Sequence, residues 1–277
     1  MRFKPLRVFL AASAFLLAVS SISMAAPVVF SATGSSPASI QPTVDIFRTA
    51  LGSLNPNVAG SFGSGRREIN WDGVPDALSA PNNLPANFFN VNSPRGAVFS
   101  TPGTGFQVSA NAGVGLIRFD NLNAGYSAQF QTFSPQRLFT SLGSNILDVN
   151  FFVAGSNTPA FVSGFGSVFT DVDLPGLTSI EVFDQNNLSL GKFFVPPADN
   201  GLSFVGVLFN GGELISRVRI TSGNLFVGAA ENGTTTDVVV MDDFIYGEPN
   251  AVPEPATLLL LGAGLVGIAA RVRRRKK

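Results

Sequence analysis

The side chains able to do chemistry in this 277-residue chain are carboxylates, because histidine and cysteine are both absent. That absence removes thiol nucleophiles, Ser-His-Asp catalysis and zinc, iron or copper held by His or Cys. Calcium, which takes oxygen ligands in irregular cages, is the metal such a chain can still bind. In Asp171-Val172-Asp173 the spacing puts two carboxylates on one face of an extended strand, whereas Asp242 and Asp243 alternate to opposite faces. Asp171, Asp173 and Asp242 are the candidate calcium ligands, and Asp243 can stand in for Asp242. The competing reading is that these residues are solvated strand ends and turn caps, where Asp is favoured. A glycosidase would need two carboxylates about 5 to 9.5 Å apart across a cleft. Glu181 and Asp184 are close in sequence but flank a strand end and its turn, so no catalytic residue is assigned.

A second stretch has chemistry of another kind. Val252-Pro253-Glu254-Pro255-Ala256 opens a tail in which an apolar run from Ala256 to Ala270 leads into Arg271, Arg273, Arg274, Arg275, Lys276 and Lys277. The run is shorter than the ~20 residues of an ordinary membrane-spanning helix. It can span by thinning the bilayer and letting the basic side chains snorkel, and those side chains would hold that end in the cytoplasm as a membrane stop. This three-part tail, over 252–277, resembles the PEP-CTERM sorting signal of Gram-negative bacterial surface proteins. The resemblance implies that exosortase, a membrane transpeptidase, recognises the chain at or near Pro253, Glu254 and Pro255 and removes the apolar run and basic end. The rival reading is a permanent single-pass anchor behind a stiff proline linker.

The opposite end is also a targeting segment. Arg2, Lys4 and Arg7 precede the apolar run Val8 to Val19, and Ser23-Met24-Ala25 supplies small residues for signal peptidase. The expectation is a signal peptide over 1–25, cut between Ala25 and Ala26. Between the two ends, residues 26–250 carry nine basic and seventeen acidic side chains, a net charge of about −8. An acidic domain of this kind is a poor partner for nucleic acid or anionic lipid. Without cysteine, an exported domain must be held together by its core.

The elements that must position these residues are mostly strands. From 26 to 96 the chain is rich in Ser, Pro, Asn and Gly, and the expectation is an irregular extension with one short helix. That helix would be capped by Thr43, have Val44, Phe47 and Leu51 on one face, and end at Gly52. Trp71, the one Trp, is either a core plug or an exposed platform for a sugar ring. From 97 to 250 the apolar period is two, with strands expected around Val98-Phe99, Phe106–Val108, Ile117–Phe119, Tyr126–Phe133, Leu147–Val153 and Phe161–Val172. Ile180–Phe183 and Leu188–Leu190 read as a hairpin, Leu202–Phe209 as a strand buried on both faces, Arg217–Thr221 as an alternating strand, and Asp237–Tyr246 as the closing one.

Short strands without long helices predict an all-β antiparallel sandwich, and 26 Phe residues suit a core between two sheets. Two segments, Gly164–Asp173 and Val238–Pro249, resemble stretches common in PEP-CTERM ectodomains, which are similar to the jelly-roll sandwiches of carbohydrate-binding modules. The resemblance implies a non-enzymatic surface protein that passes through the inner membrane and reaches the cell exterior. It also implies contact with exopolysaccharide in a biofilm or floc matrix. The rival from another class is a secreted glycan hydrolase using carboxylates alone.

Overall fold

The computed structural model describes residues 26–211 and 214–252. The expected signal peptide and its Ala25 side of the cut lie outside the described residues, as do the Pro-Glu-Pro triplet, the apolar run and the basic stop. No helix among the described residues is long and apolar enough to cross a membrane.

In chain order the first elements are β1 (Val28–Gly34), α1 (Pro37–Leu51), β2 (Arg66–Ile69), α2 (Phe88–Val91), β3 (Ala97–Ser100), β4 (Gly105–Val108) and α3 (Tyr126–Gln129). Next come β5 (Phe139–Leu142), β6 (Ile146–Phe151), β7 (Ala160–Phe161), β8 (Gly164–Val172), β9 (Ser179–Phe183) and β10 (Ser189–Phe194). The chain continues through β11 (Ala198–Leu208), β12 (Arg217–Thr221), β13 (Val240–Gly247) and β14 (Asn250–Ala251). One sheet runs β1-β11-β8-β13-β5-β4, with β2 also paired to β13; the other runs β10-β9-β12-β6-β3. Every ladder in them is antiparallel. The inner faces share one core, in which Phe99 meets Phe139 at 5.1 Å and Phe151 meets Tyr246 at 5.3 Å between ring centroids.

The strands β8 and β13 are buried along their length because the middle of the larger sheet is covered on both sides. All nine residues of β8 are buried. One face meets the second sheet, and the other meets α1 through Ile40, Val44, Phe47 and Leu51. The docking of α1 depends on two glycines paired across strands, Gly166 and Gly206. A Cβ at Gly166 would lie 2.8 Å from the Phe47 ring, so only glycine lets that ring rest on the sheet. In the second sheet β12 keeps the expected alternation, with Val218 and Ile220 inward and Arg217 and Arg219 paired to Asp148 outside.

Several expectations are corrected. The helix does not start at Thr43; it begins at Pro37 behind Ser36 and carries Pro42 inside it. Pro42 lies early enough to forfeit one carbonyl bond without breaking the turn, and Ile40 extends the buried face of Val44, Phe47 and Leu51. Gly52 does end the helix, its N–H donating to the carbonyls of Arg48 and Thr49. Residues 26–96, expected to be irregular, supply β1 and β2 to the larger sheet. Tyr126–Phe133 opens with a helical turn, not a strand, across which the Tyr126 and Phe130 rings, four residues apart, meet tilted at 4.7 Å between centroids. Ile117–Phe119 forms no strand: Arg118 and Phe119 both take positive φ, which places Phe119 in a third apolar cluster with Tyr126 and Val238.

Candidate functional site

The end of β8 gathers negative charge. Opposite Thr170 and Val172 the partner strand β11 has extra residues between Ala198 and Leu202, and Asp171 adopts φ +63°. The bulge turns the Asp171 carboxylate to accept the Asn200 N–H at 2.7 Å and brings Asp199 beside it. One carboxylate oxygen from each of Asp171, Asp173 and Asp199 lies within 4.8 Å of the others. A second group with the same spacing joins Asp173 to Glu231 and Asp237, which come from the segment between β12 and β13. That segment is shaped by Asn232, whose Oδ1 accepts N–H groups from Thr234, Thr235 and Thr236.

Burial and crowding raise Asp171, Asp173, Glu231 and Asp237. Asp171 is pushed up to about 8, first by burial and then by Asp173, Glu231 and Asp199. Asp237 is pushed up to about 6 by burial with Asp173 beside it, and Asp173 and Glu231 are raised for the same reasons. Of the expected calcium ligands, Asp171 and Asp173 are therefore brought together, whereas Asp242 belongs to neither group. Asp199, Glu231 and Asp237 take part instead. Asp199-Asn200-Gly201 and Glu231-Asn232-Gly233 look like turns in the sequence, and only the fold makes them neighbours.

Asp242 and Asp243 do not point to opposite faces. The pairing of β13 with β8 shifts between Met241 and Phe244, and this bulge lets both carboxylates accept the Ser134 hydroxyl, at 3.2 and 2.6 Å. Asp242 also accepts the Phe133 N–H at 2.6 Å. Burial holds Asp242 well above the usual carboxylate range, with Asp243 next in effect; Asp243 is pushed up to about 6, again mainly by burial. Asp243 reaches the floor of a cleft of about 470 Å³ bordered by α1 and the 54–57 and 133–135 segments. There Arg48 binds Glu68 at 2.9 Å and Asp243 at 3.2 Å. Asn57 and Asn70 line the same cleft, and their side chains form no hydrogen bond among the described residues.

Trp71 is a core residue and not a platform. It is 1 % exposed, stacks on Phe139 at 4.0 Å and donates its Nε1–H to the Asp242 carbonyl at 2.8 Å. Asp184 caps its turn by accepting the N–H groups of Asn186 and Leu188, and Glu181 accepts the Ser189 hydroxyl. These bonds give both acids structural work at the strand end and turn.

The fold also determines how the chain leaves the domain. Glu248 forms a buried two-point pair with Arg67, at 2.6 and 2.9 Å. Two residues later β14 pairs with β7, and Val252 donates its N–H to the Pro159 carbonyl at 3.2 Å. The backbone is thus fixed to the domain up to the residue before Pro253. No curated protein and no solved structure matches the chain. The family model described as the PEP-CTERM protein-sorting motif matches residues 251–275, starting inside β14 and running through the Pro-Glu-Pro triplet, the apolar run and the first basic residues. The chain therefore carries a PEP-CTERM protein-sorting motif directly behind a two-sheet antiparallel domain, which marks it as an extracellular protein sorted to the cell surface through the membrane by exosortase.

Proposed function

We propose that this is a non-enzymatic surface protein of an extracellular matrix, held for a time in the inner membrane by its tail and released when exosortase acts near Pro253. Its working part is the β-sandwich that precedes the motif, and its ligand is exopolysaccharide. The sorting motif joined without a spacer to a folded domain is the observation that carries this reading. The cleft beside α1 supports the choice of ligand. Asn57 and Asn70 offer free amides there, beside the charged pair of Arg48 and Glu68, a lining suited to pairing with sugar hydroxyls. Binding is favoured over hydrolysis because Glu68 and Asp243 are both engaged by Arg48, which leaves neither as a free proton donor over the cleft.

Two measurements test the proposal. The intact mass of the protein recovered from the producing cells' exterior should correspond to a chain ending near Pro253; a mass retaining Lys277 would refute the sorting step. The recovered protein should co-sediment saturably with the cells' own exopolysaccharide, and replacing Asn57 and Asn70 together by Ala should weaken that binding at least tenfold. An unchanged affinity would remove the cleft from the reading, and release of reducing sugar would favour the hydrolase. Because the domain carries about −8, binding to an acidic polymer at low salt should require a divalent cation.

A further inference from the structure

We propose that Asp171, Asp173, Asp199, Glu231 and Asp237 hold a calcium ion that ties the segment between β12 and β13 to the ends of β8 and β11. The five come from three separate parts of the chain, and no Lys or Arg forms a salt bridge with any of them among the described residues. Ligand oxygens about 2.3–2.6 Å from a calcium ion lie no more than about 5 Å apart across it. The 4.8 Å limit within each of the two triads fits that shell, and Asp173 belongs to both.

A second observation points to a missing partner. Asp237 is 0 % exposed; its Oδ2 accepts the Leu174 N–H at 3.2 Å, but its Oδ1 has no hydrogen-bond partner. Asp173 Oδ1 is buried and unpartnered in the same way. Proteins rarely leave buried carboxylate oxygens unpaired, and here the two orphaned atoms belong to adjoining carboxylates of one triad. A cation coordinated by both would supply the partner and relieve the repulsion among the five acids. The donor set is all oxygen, which selects calcium over zinc or copper, and the uneven geometry of a bulge and a loop suits calcium better than octahedral magnesium.

The test uses the full chain in a non-ionic detergent. Titration calorimetry with calcium chloride should show saturable binding. With calcium at about a hundred times its Kd, Tm should rise by about 5–10 °C relative to chelator. Asp173→Asn should abolish both effects and should be no less stable than the unmodified chain in chelator, since it loses one of the clustered charges. Asp45→Asn, on the exposed face of α1, should keep the full calcium response. If Asp173→Asn fails to fold, Asp199→Asn should lower the affinity at least tenfold. No saturable binding by the unmodified chain, or unchanged affinity in the Asp199→Asn protein, would overturn the proposal.

Discussion

Replacing Arg67 by Met isolates the contact that fixes the base of the sorting tail. Arg67 is 0 % exposed, and besides Glu248 it donates to the carbonyls of Pro56 and Pro94. In the variant, Glu248 would keep only the Asn55 side chain at 2.8 Å and the Phe62 N–H at 3.3 Å as donors. Removing one member of a buried ion pair costs about 3–5 kcal/mol, because the other is left desolvated and uncompensated. For a domain of this size that corresponds to a fall in Tm of about 6–20 °C. Urea unfolding monitored by the fluorescence of Trp71, the only Trp and a buried one, measures the change directly. The double variant Arg67→Met/Glu248→Leu should regain most of the loss, since an apolar pair of similar volume can replace buried charges. Limited proteolysis should cut the single variant faster just before Pro253, because Glu248 stands two residues ahead of β14. A cost below about 1 kcal/mol, or a double variant as unstable as the sum of both singles, would refute the argument.

Three further outcomes are expected. Asp243 has a folded-state pKa of about 6, above its unfolded value near 4, so the folded domain binds its proton more tightly and loses stability as pH rises through that interval. Urea midpoints should be higher at pH 5 than at pH 7.5, and Asp243→Asn should reduce the difference without removing it, because Asp171, Asp237 and Asp242 are raised as well; equal midpoints in the unmodified protein would contradict the burial argument. Gly166→Ala should cost about 1–3 kcal/mol by forcing a methyl against Phe47, and Phe47→Leu added to it should recover part of the loss in calorimetric scans. Trp71→Phe should lower stability by about 1–3 kcal/mol through the lost bond to the Asp242 carbonyl and the reduced packing, while leaving affinity for exopolysaccharide unchanged. A loss of affinity at unchanged stability would return Trp71 to a sugar-binding role.

The sequence alone determined the features that rest on local order and composition. Pro253-Glu254-Pro255, the apolar run and the arginine cluster are contiguous, so the sorting motif is readable without a fold. β6 and β12 keep a period of two because each has one face toward the core, and Leu202–Phe209 is nearly all apolar because that part of β11 is covered on both sides. The missing histidines and cysteines restricted any metal to oxygen ligands. The features that the sequence concealed depend on bulges and long-range pairing. A single extra residue reverses every side chain beyond it, so the shift in β13 that sets Asp242 beside Asp243 cannot be read from alternation. The bulge in β11 opposite Asp171 likewise brings Asp199 to it, and the segment between β12 and β13 brings Glu231 and Asp237 to Asp173. β1 and β2 enter the larger sheet through β11 and β13, partners so far along the chain that no local pattern in residues 26–96 discloses the pairing. Carboxylates as distant in the chain as Asp173 and Asp237 become neighbours because the fold lays the segment between β12 and β13 against the end of β8, a property of the tertiary structure and not of any stretch of the chain.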